Sequence, residues 1–343
     1  MTGSKMRLNI LYQFNEKYVP YAGVSITSLL QNNQSAEAIT VYILGEGLSK
    51  EAVETLNQAV SSYHREVVYL DADNLIFKMK ELDMPAYRGS YAANMRLFLD
   101  EVLDESVDRI LYLDSDTVVN ADLSSLLSLD MQGKTIGMVL DSLGEAHKLQ
   151  IGLGEADEYF NSGVILYDLK QWRQKGYSER IIRHVREQRN NYPAPDQDLL
   201  NVVCRGDIFR LDLRYNFQPV HAAFSDRQYY RVMKPMVYYD RETIQAAMEQ
   251  VSIYHCFRFL GEFPWHEGNL HPYNEIFDRY LAVSLWKNYR KEKTEAGLPI
   301  KIEKVLYRIL PKGIFLPIFK VAHRMFLNRA NSDSLKNETN KLM

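Results

Sequence analysis

The sequence predicts an α/β protein with a mainly parallel central sheet, helices on both faces and a helical C-terminal tail. Strand-length apolar runs alternate with helically spaced segments through about the first two hundred residues, an acid pair closes an internal apolar run, and the pattern turns helical from about residue 267. In order, 8–12 reads as a strand, 19–33 as a helix, 39–44 as a strand, 49–64 as a helix and 67–70 as a strand. Residues 91–104 carry helical spacing at Met95, Leu97, Phe98 and Val102, and RILYLDSDTVV then gives one buried strand. A helix near 122–129, a strand at 135–140, a glycine-containing loop at 142–158 placed to move over the site, and a strand at 163–168 follow. Residues 178–190 form a helix, the prolines of PAPDQDLLNVVC break the chain before another, and 253–257 is a late short strand.

With 343 residues, 46% hydrophobic and 25% charged, the chain has the composition of a soluble globular protein with one large domain and an appendage. The division expected is a catalytic domain over 1–283 and a basic amphipathic tail over 284–343. Residues 287–343 hold thirteen Lys and Arg against five Asp and Glu, leaving −11 on residues 1–286. An acidic body argues against nucleic acid as a partner. Cys204 and Cys256 allow neither a disulfide framework nor a CxxC metal site, so a reducing compartment is expected. MTGSKMRLNILYQF lacks the parts of a signal peptide and no run of 18 apolar residues occurs, which places the protein in the cytoplasm and gives the sequons at Asn33 and Asn337 little weight.

Asp114-Ser115-Asp116 sets two carboxylates at the carboxyl end of a strand, where open parallel sheets bind ligands. Hard oxygen ligands suit Mg²⁺ or Mn²⁺ on a diphosphate, although Asp and Ser also favour ordinary turns. In Tyr159-Phe-Asn-Ser-Gly163 the glycine permits close backbone approach and Asn161 can bond a hydroxylated ligand; a plain β-turn looks alike. Asp196-Gln197-Asp198 has the composition of a helix N-terminus. His255, in IYHCF, reads on its own as a core histidine.

A rival reading comes from hydrophobic-DxDxT, the nucleophile motif of haloacid dehalogenase-type phosphatases, with Gly206-Asp207 and Asp212 imitating their later acidic motif. Against it, the acid pair lies on an internal strand, and Arg205 stands where an apolar strand should lead into Gly206. Gly152-Leu153-Gly154 follows no strand closely and is no dinucleotide fingerprint. A catalytically silent sugar-nucleotide-binding protein is the third reading, one that the resemblance given next brings in and weakens, because the three metal positions which that resemblance implies are all filled.

The order RLNILYQFNEKYVPYAGVSITSLLQNN, YAANMRLFLDEVL, RILYLDSDTVV, YFNSGVILYDLKQWR, PDQDLLN, RYNF and IYHCF resembles the family 8 glycosyltransferases over residues 7–280. The bacterial α-galactosyl- and α-glucosyltransferases of surface-glycan assembly resemble it most, glycogenin more distantly. Each piece alone is unspecific; their joint order is not. The resemblance implies a GT-A fold, nucleotide-diphospho-sugar transfer, and Mn²⁺ held by Asp114, Asp116 and His255. It places Arg96 against the donor sugar and the first acid, and Ser115 beside the donor with the two acids. Asn161, Ser162, Asp196 and Gln197 fall around the hexose, Asp141 between sugar and acceptor, and Asn15 and Tyr18 at the uracil. Gln197 and Asp196 take the catalytic positions. An amide is a poor nucleophile, which favours front-face attack with retention.

UDP-galactose or UDP-glucose is the implied donor, and a glycan, glycolipid or glycoprotein the acceptor. Two departures stand out: Asn15-Glu16-Lys17 replaces an Asp-Asn pair, and Phe263-Pro264-Trp265 replaces a Lys-Pro-Trp whose lysine grips the diphosphate, leaving Arg258 or His266 to compensate. In the tail, Phe315, Ile318, Phe319, Ala322, Met325 and Phe326 form a helical stripe opposite Lys320 and Arg324. The stripe predicts peripheral attachment to an anionic membrane at the inner face of the plasma membrane, the alternative being a helix docked on the catalytic domain or on a partner subunit.

Overall fold

A computed structural model describes residues 7–84, 86, 89–188, 192–294, 297–323 and 325. Its main sheet has seven strands: β1 (Arg7–Asn15), β2 (Ala38–Glu46), β3 (Glu66–Leu70), β4 (Arg109–Asp114), β6 (Ile136–Leu140), β7 (Phe160–Asp168) and β8 (Ile208–Arg210), in the order β3-β2-β1-β4-β7-β6-β8. β5 (Thr117–Val119) and β9 (Ile253–His255) form a separate antiparallel ribbon. Leu8, Ile10, Leu11, Tyr12, Ile110, Leu111, Tyr112 and Leu113 are all fully buried, as expected for central strands covered on both faces.

The helices are α1 (Val19–Asn32), α2 (Lys50–Ser61), α3 (Ala72–Glu81), α4 (Ser124–Leu127), α5 (Glu145–Lys148), α6 (Leu169–Gln174), α7 (Tyr177–Gln188) and α8 (Pro195–Val203). After them come α9 (Pro219–Ala223), α10 (Asp226–Met233), α11 (Arg241–Glu249), α12 (Asn274–Val283), α13 (Leu298–Ile309) and α14 (312–323).

The sheet is mostly parallel, but β7 runs antiparallel to both β4 and β6. This reversal brings the start of β7 to the carboxyl ends of β4 and β6, pairing Val164 with Leu113 and Phe160 with Leu140. Asn161-Ser162-Gly163, expected just before the strand, lies on it. The single strand expected from RILYLDSDTVV divides at Ser115-Asp116, where Thr117 Oγ1 donates to Asp114 O at 2.8 Å and β5 turns away to pair with β9. The helix expected over 91–104 is a 3-10 segment, Ala92–Glu101, kinked at Phe98.

The tail corrects the expected stripe. Phe315 and Phe319 of α14 turn into the body, where Phe315 stacks on Phe224 at 6.3 Å and Phe319 meets Phe259 at 5.8 Å between ring centres. Docking on existing rings hides these aromatics from water, so the exposed stripes are others: Leu298, Ile302, Val305 and Ile309 on α13, and Ile314, Ile318, Val321 and Met325 along and just beyond α14. Lys320 donates to the carbonyls of Val232 and Met233 at 2.9 and 3.2 Å. Arg324, Phe326 and Asn337 lie outside the described residues.

Candidate active site

The carboxyl ends of β1 and β4 pair Gln13 with Asp114, and the ribbon sets His255 of β9 opposite Thr117 of β5. His255 therefore returns to the turn holding Asp116 although 139 residues separate them. Its Nε2 lies 3.5 Å from Asp114 Oδ2 and 3.3 Å from Asp116 Oδ1. One ligand atom from each of the three residues lies within 4.8 Å of the others.

The imidazole is oriented from behind. Asn216, fully buried after the 3-10 turn Leu213–Asn216, accepts from His255 Nδ1 at 3.0 Å through Oδ1. Its own Nδ2 donates to Asn161 Oδ1 at 2.9 Å, which fixes which way the Asn216 amide points. Nδ1 thus carries the proton and Nε2 faces the carboxylates, the arrangement a metal-ligating histidine needs. A Cβ on Gly163 would lie 2.0 Å from His255 Cε1, so only glycine lets the ring approach β7 this closely. Two hard carboxylate oxygens and one imidazole nitrogen fit Mn²⁺ or Mg²⁺.

Arg96 organises the charges. The side chain is 5% exposed and donates from Nη2 to Asp114 Oδ1 at 2.8 Å, from Nη1 to Ser162 O at 2.6 Å and from Nε to Ala93 O at 3.1 Å. Its Nε is also 3.4 Å from Asp196 Oδ2, and its Cζ lies 4.1 Å from the Tyr112 ring centre. Tyr112 OH donates to Asp114 as well. Burial alone would raise the Asp114 pKa, but Arg96 and then His255 outweigh it and hold this carboxyl well below the usual range. Asp196, farther from the guanidinium, is raised: burial leads, Arg96 only partly offsets it, and Asp114 adds repulsion. For His255 burial opposes the charged ring, yet Asp116 and Asp114 push it up to about 9.

The remaining polar groups converge beside Arg96. Ser162 Oγ donates to Asp196 Oδ2 at 3.1 Å, and Ser162 N to Gln197 Oε1 at 3.0 Å. Asp141 Oδ2 accepts from Asn161 Nδ2 at 3.0 Å and from Gln197 Nε2 at 3.3 Å. Asp114, Asp116, His255, Arg96, Asp141, Asn161, Ser162, Asp196 and Gln197 thus form one linked site, with Ser115 in the turn between the two acids. Asn15 ends β1, and the Tyr18 ring meets Tyr21 and Trp265 edge-on, with centres 5.6 and 6.5 Å away. Asn216, Tyr112 and Tyr159 were not among the expected site residues. Asn216 lies in RYNF, whose place in the motif order was the available signal.

The group that imitated a phosphatase motif is elsewhere. Asp207 precedes β8, which runs parallel to β6, and so sits at the sheet edge opposite Asp114. There it accepts from Thr135 Oγ1 at 2.6 Å, Tyr177 OH at 2.7 Å and Lys175 Nζ at 2.9 Å, tying the strand ends together.

Phe263 is buried and stacks on Trp265, with ring centres 4.4 Å apart. Arg258 Cζ lies 5.1 Å from the Phe263 ring centre. His266 Nε2 is 3.9 Å from Glu292, and its pKa is lowered, chiefly by burial.

A sequence model of glycosyl transferase family 8 matches residues 9–268. General stress protein A of Bacillus subtilis is 24% identical over 282 residues, covering 81% of this chain and 94% of its own length. The lipopolysaccharide 1,2-glucosyltransferase of Escherichia coli K12 is 28% identical over 289 residues, 82% of this chain and 79% of its own. Among solved structures, the galactosyltransferase LgtC in complex with donor and acceptor sugar analogs matches with a TM-score of 0.66 at 22% identity, over 81% of this chain and 96% of that one. That likeness is one of fold, the GT-A type with its mostly parallel sheet.

Proposed function

The chain belongs to glycosyl transferase family 8, and from that premise we propose that it is a metal-dependent, retaining hexosyltransferase. It moves galactose or glucose from UDP-galactose or UDP-glucose to a glycan, glycolipid or glycoprotein acceptor. The observation that carries this reading is the convergence of Asp114, Asp116 and His255 on one point beside the Arg96, Asp196 and Gln197 cluster. A Mn²⁺ ion, or Mg²⁺ in its place, held by those three residues would neutralise the departing diphosphate.

The chain's own groups supply the rest. Asn15 and Tyr18 receive the uracil, and Ser115 lies against the donor with the flanking acids. Arg96 keeps Asp114 ionised and in place. Arg258 takes the role of the missing lysine toward the diphosphate, because it stays a cation whereas burial disfavours charge on His266. Asn161, Ser162 and Asp141 meet the hexose hydroxyls.

Neither residue at the catalytic positions is offered as a free carboxylate nucleophile. Asp196 is engaged by Ser162 and Arg96, and Gln197 is an amide. The acceptor hydroxyl therefore attacks the anomeric carbon on the face the diphosphate leaves. The old C–O bond breaks with its electron pair passing to the β-phosphate oxygen, which takes the acceptor's proton, while Gln197 and Asp196 stabilise the oxocarbenium-like state. With a panel of UDP-sugars and Mn²⁺, UDP release should be fastest for UDP-galactose or UDP-glucose and should stop in excess EDTA. Undiminished release in EDTA would remove the metal from the account.

The tail, from 284, is proposed to hold the enzyme on the anionic inner face of the plasma membrane. Among the described residues no helix is long and apolar enough to cross a membrane. Exposed Lys301 and Arg308 stand on α13 beside its exposed stripe. Such apolar side chains contribute roughly 1.5–3 kcal/mol each when fully buried, and basic residues about 1 kcal/mol near an anionic surface. Phe315 belongs to the core, so truncation is the wrong test. Full-length protein should co-sediment with phosphatidylglycerol vesicles, and Ile302→Glu combined with Ile309→Glu should abolish this without affecting transfer to a soluble acceptor. Equal sedimentation of both proteins would contradict the attachment.

A further inference from the structure

A buried network behind Gln197 has no part in the chemistry described so far. Asp198, on the first turn of α8, is fully buried, and Tyr159 and His147 beside it are 5% and 4% exposed. Asp198 Oδ1 receives His147 Nε2 at 2.8 Å and Tyr159 OH at 2.7 Å, while its Oδ2 receives Ala194 N at 3.0 Å. Tyr159 in turn lies 2.8 Å from Gln197 Nε2.

The proton inventory gives this chain a direction. A carboxylate accepts, so the single proton of Tyr159 is committed to Asp198. The phenol oxygen is then left as an acceptor, and Gln197 must present its NH₂ edge to it. The same NH₂ edge faces Asp141 Oδ2 at 3.3 Å, whereas Ser162 N, which can only donate, faces Gln197 Oε1 at 3.0 Å. A flipped amide would set oxygen against the Asp141 carboxylate and NH₂ against an N–H donor.

We infer that Tyr159 and Asp198 are positioning residues that fix the Gln197 carboxamide with its carbonyl turned toward Ser162, the residue where Arg96 and Asp196 meet. The inference rests on the reading of the site as one for glycosyl transfer. A carbonyl held on that side opposes the positive charge developing on the hexose; the NH₂ edge would repel it. His147 extends the device to the loop before β7. It belongs to α5, and Tyr159 packs so closely on Gly144 that a Cβ there would lie 2.1 Å from the ring. The loop is thereby fastened to the first turn of α8 through the same carboxylate that directs Tyr159.

Tyr159→Phe keeps the ring against Gly144 and removes only the hydroxyl. The kcat for transfer should fall about tenfold, with the donor KM changed by less than about twofold. In a Gln197→Ala background the same substitution should cost less than about twofold, because its effect passes through Gln197. A merely structural role would instead give equal losses in both backgrounds. Such additivity, or an unchanged kcat in the single variant, overturns the inference. Asp198→Asn is the second variant, for use if Tyr159→Phe does not fold, and the same dependence on Gln197 is expected of it. Absence of transfer by the wild-type protein would overturn the glycosyltransferase reading and this inference together, whereas additivity in an active enzyme would overturn only the inference.

Discussion

Asp116→Asn should lower transfer by about a thousandfold or more while the protein stays folded. The substituted amide keeps the shape of the carboxylate but removes a charge and a hard ligand from the group made with Asp114 and His255. Folding should survive because the backbone carries the local structure: Asp116 O accepts Cys256 N at 2.7 Å, and Thr117 pairs with His255 in the ribbon. Circular dichroism and a UDP-release assay on the same preparation separate the two effects. Near wild-type activity in Asp116→Asn would exclude a shared cation at this point.

Arg96→Met should be the most destabilising single change in the site. Methionine fills much of the same space but leaves Asp114 and Asp196 without their common partner and removes the guanidinium donors to Ser162 O and Ala93 O, the latter keeping only Gln13 Nε2. Removing one member of a buried ion pair costs about 3–5 kcal/mol. Urea denaturation should show a loss of that order. Arg96→Lys should recover only part of it, since a single ammonium cannot reach the same acceptors in the planar fork that arginine provides. A loss below about 1 kcal/mol for Arg96→Met would mean that water or a rearranged backbone already compensates these carboxylates.

The acid pair, Asn161-Ser162 and Asp196-Gln197 were legible because each sets polar residues at the boundary of an apolar run, after it for the acid pair and before it for the others, and their order along the chain is specific. The direction of β7 was not legible. Alternation and apolarity mark a strand equally well whichever way it runs, so only the pairing of Val164 with Leu113 shows that this one starts at the site. Asn216 was passed over although RYNF stood in the motif order, because its role lies in a contact with His255, 39 residues away. The helix α3 went unread although Asp71 caps it, accepting from Asp73 N and Asn74 N, and Ala72, Leu75 and Met79 recur at helical spacing on its buried face. For 91–104, helical spacing cannot separate an α-helix from a kinked 3-10 segment whose side chains recur at nearly the same intervals. The tail shows the limit of amphipathicity as a signal. It says that a stripe needs covering, and Phe315 and Phe319 are covered by Phe224 and Phe259 rather than by lipid.

The central claim is retaining transfer from a UDP-hexose, and the anomeric configuration of the product tests it most directly. Wild-type protein incubated with Mn²⁺, α-linked UDP-galactose or UDP-glucose and a saccharide acceptor should give a product whose anomeric proton shows the small coupling of an α linkage by proton NMR. Gln197→Ala should give the same α product more slowly, because a group that stabilises charge without bonding to the sugar is not indispensable. A β-linked product would contradict the account, since it would require attack from the face opposite the diphosphate.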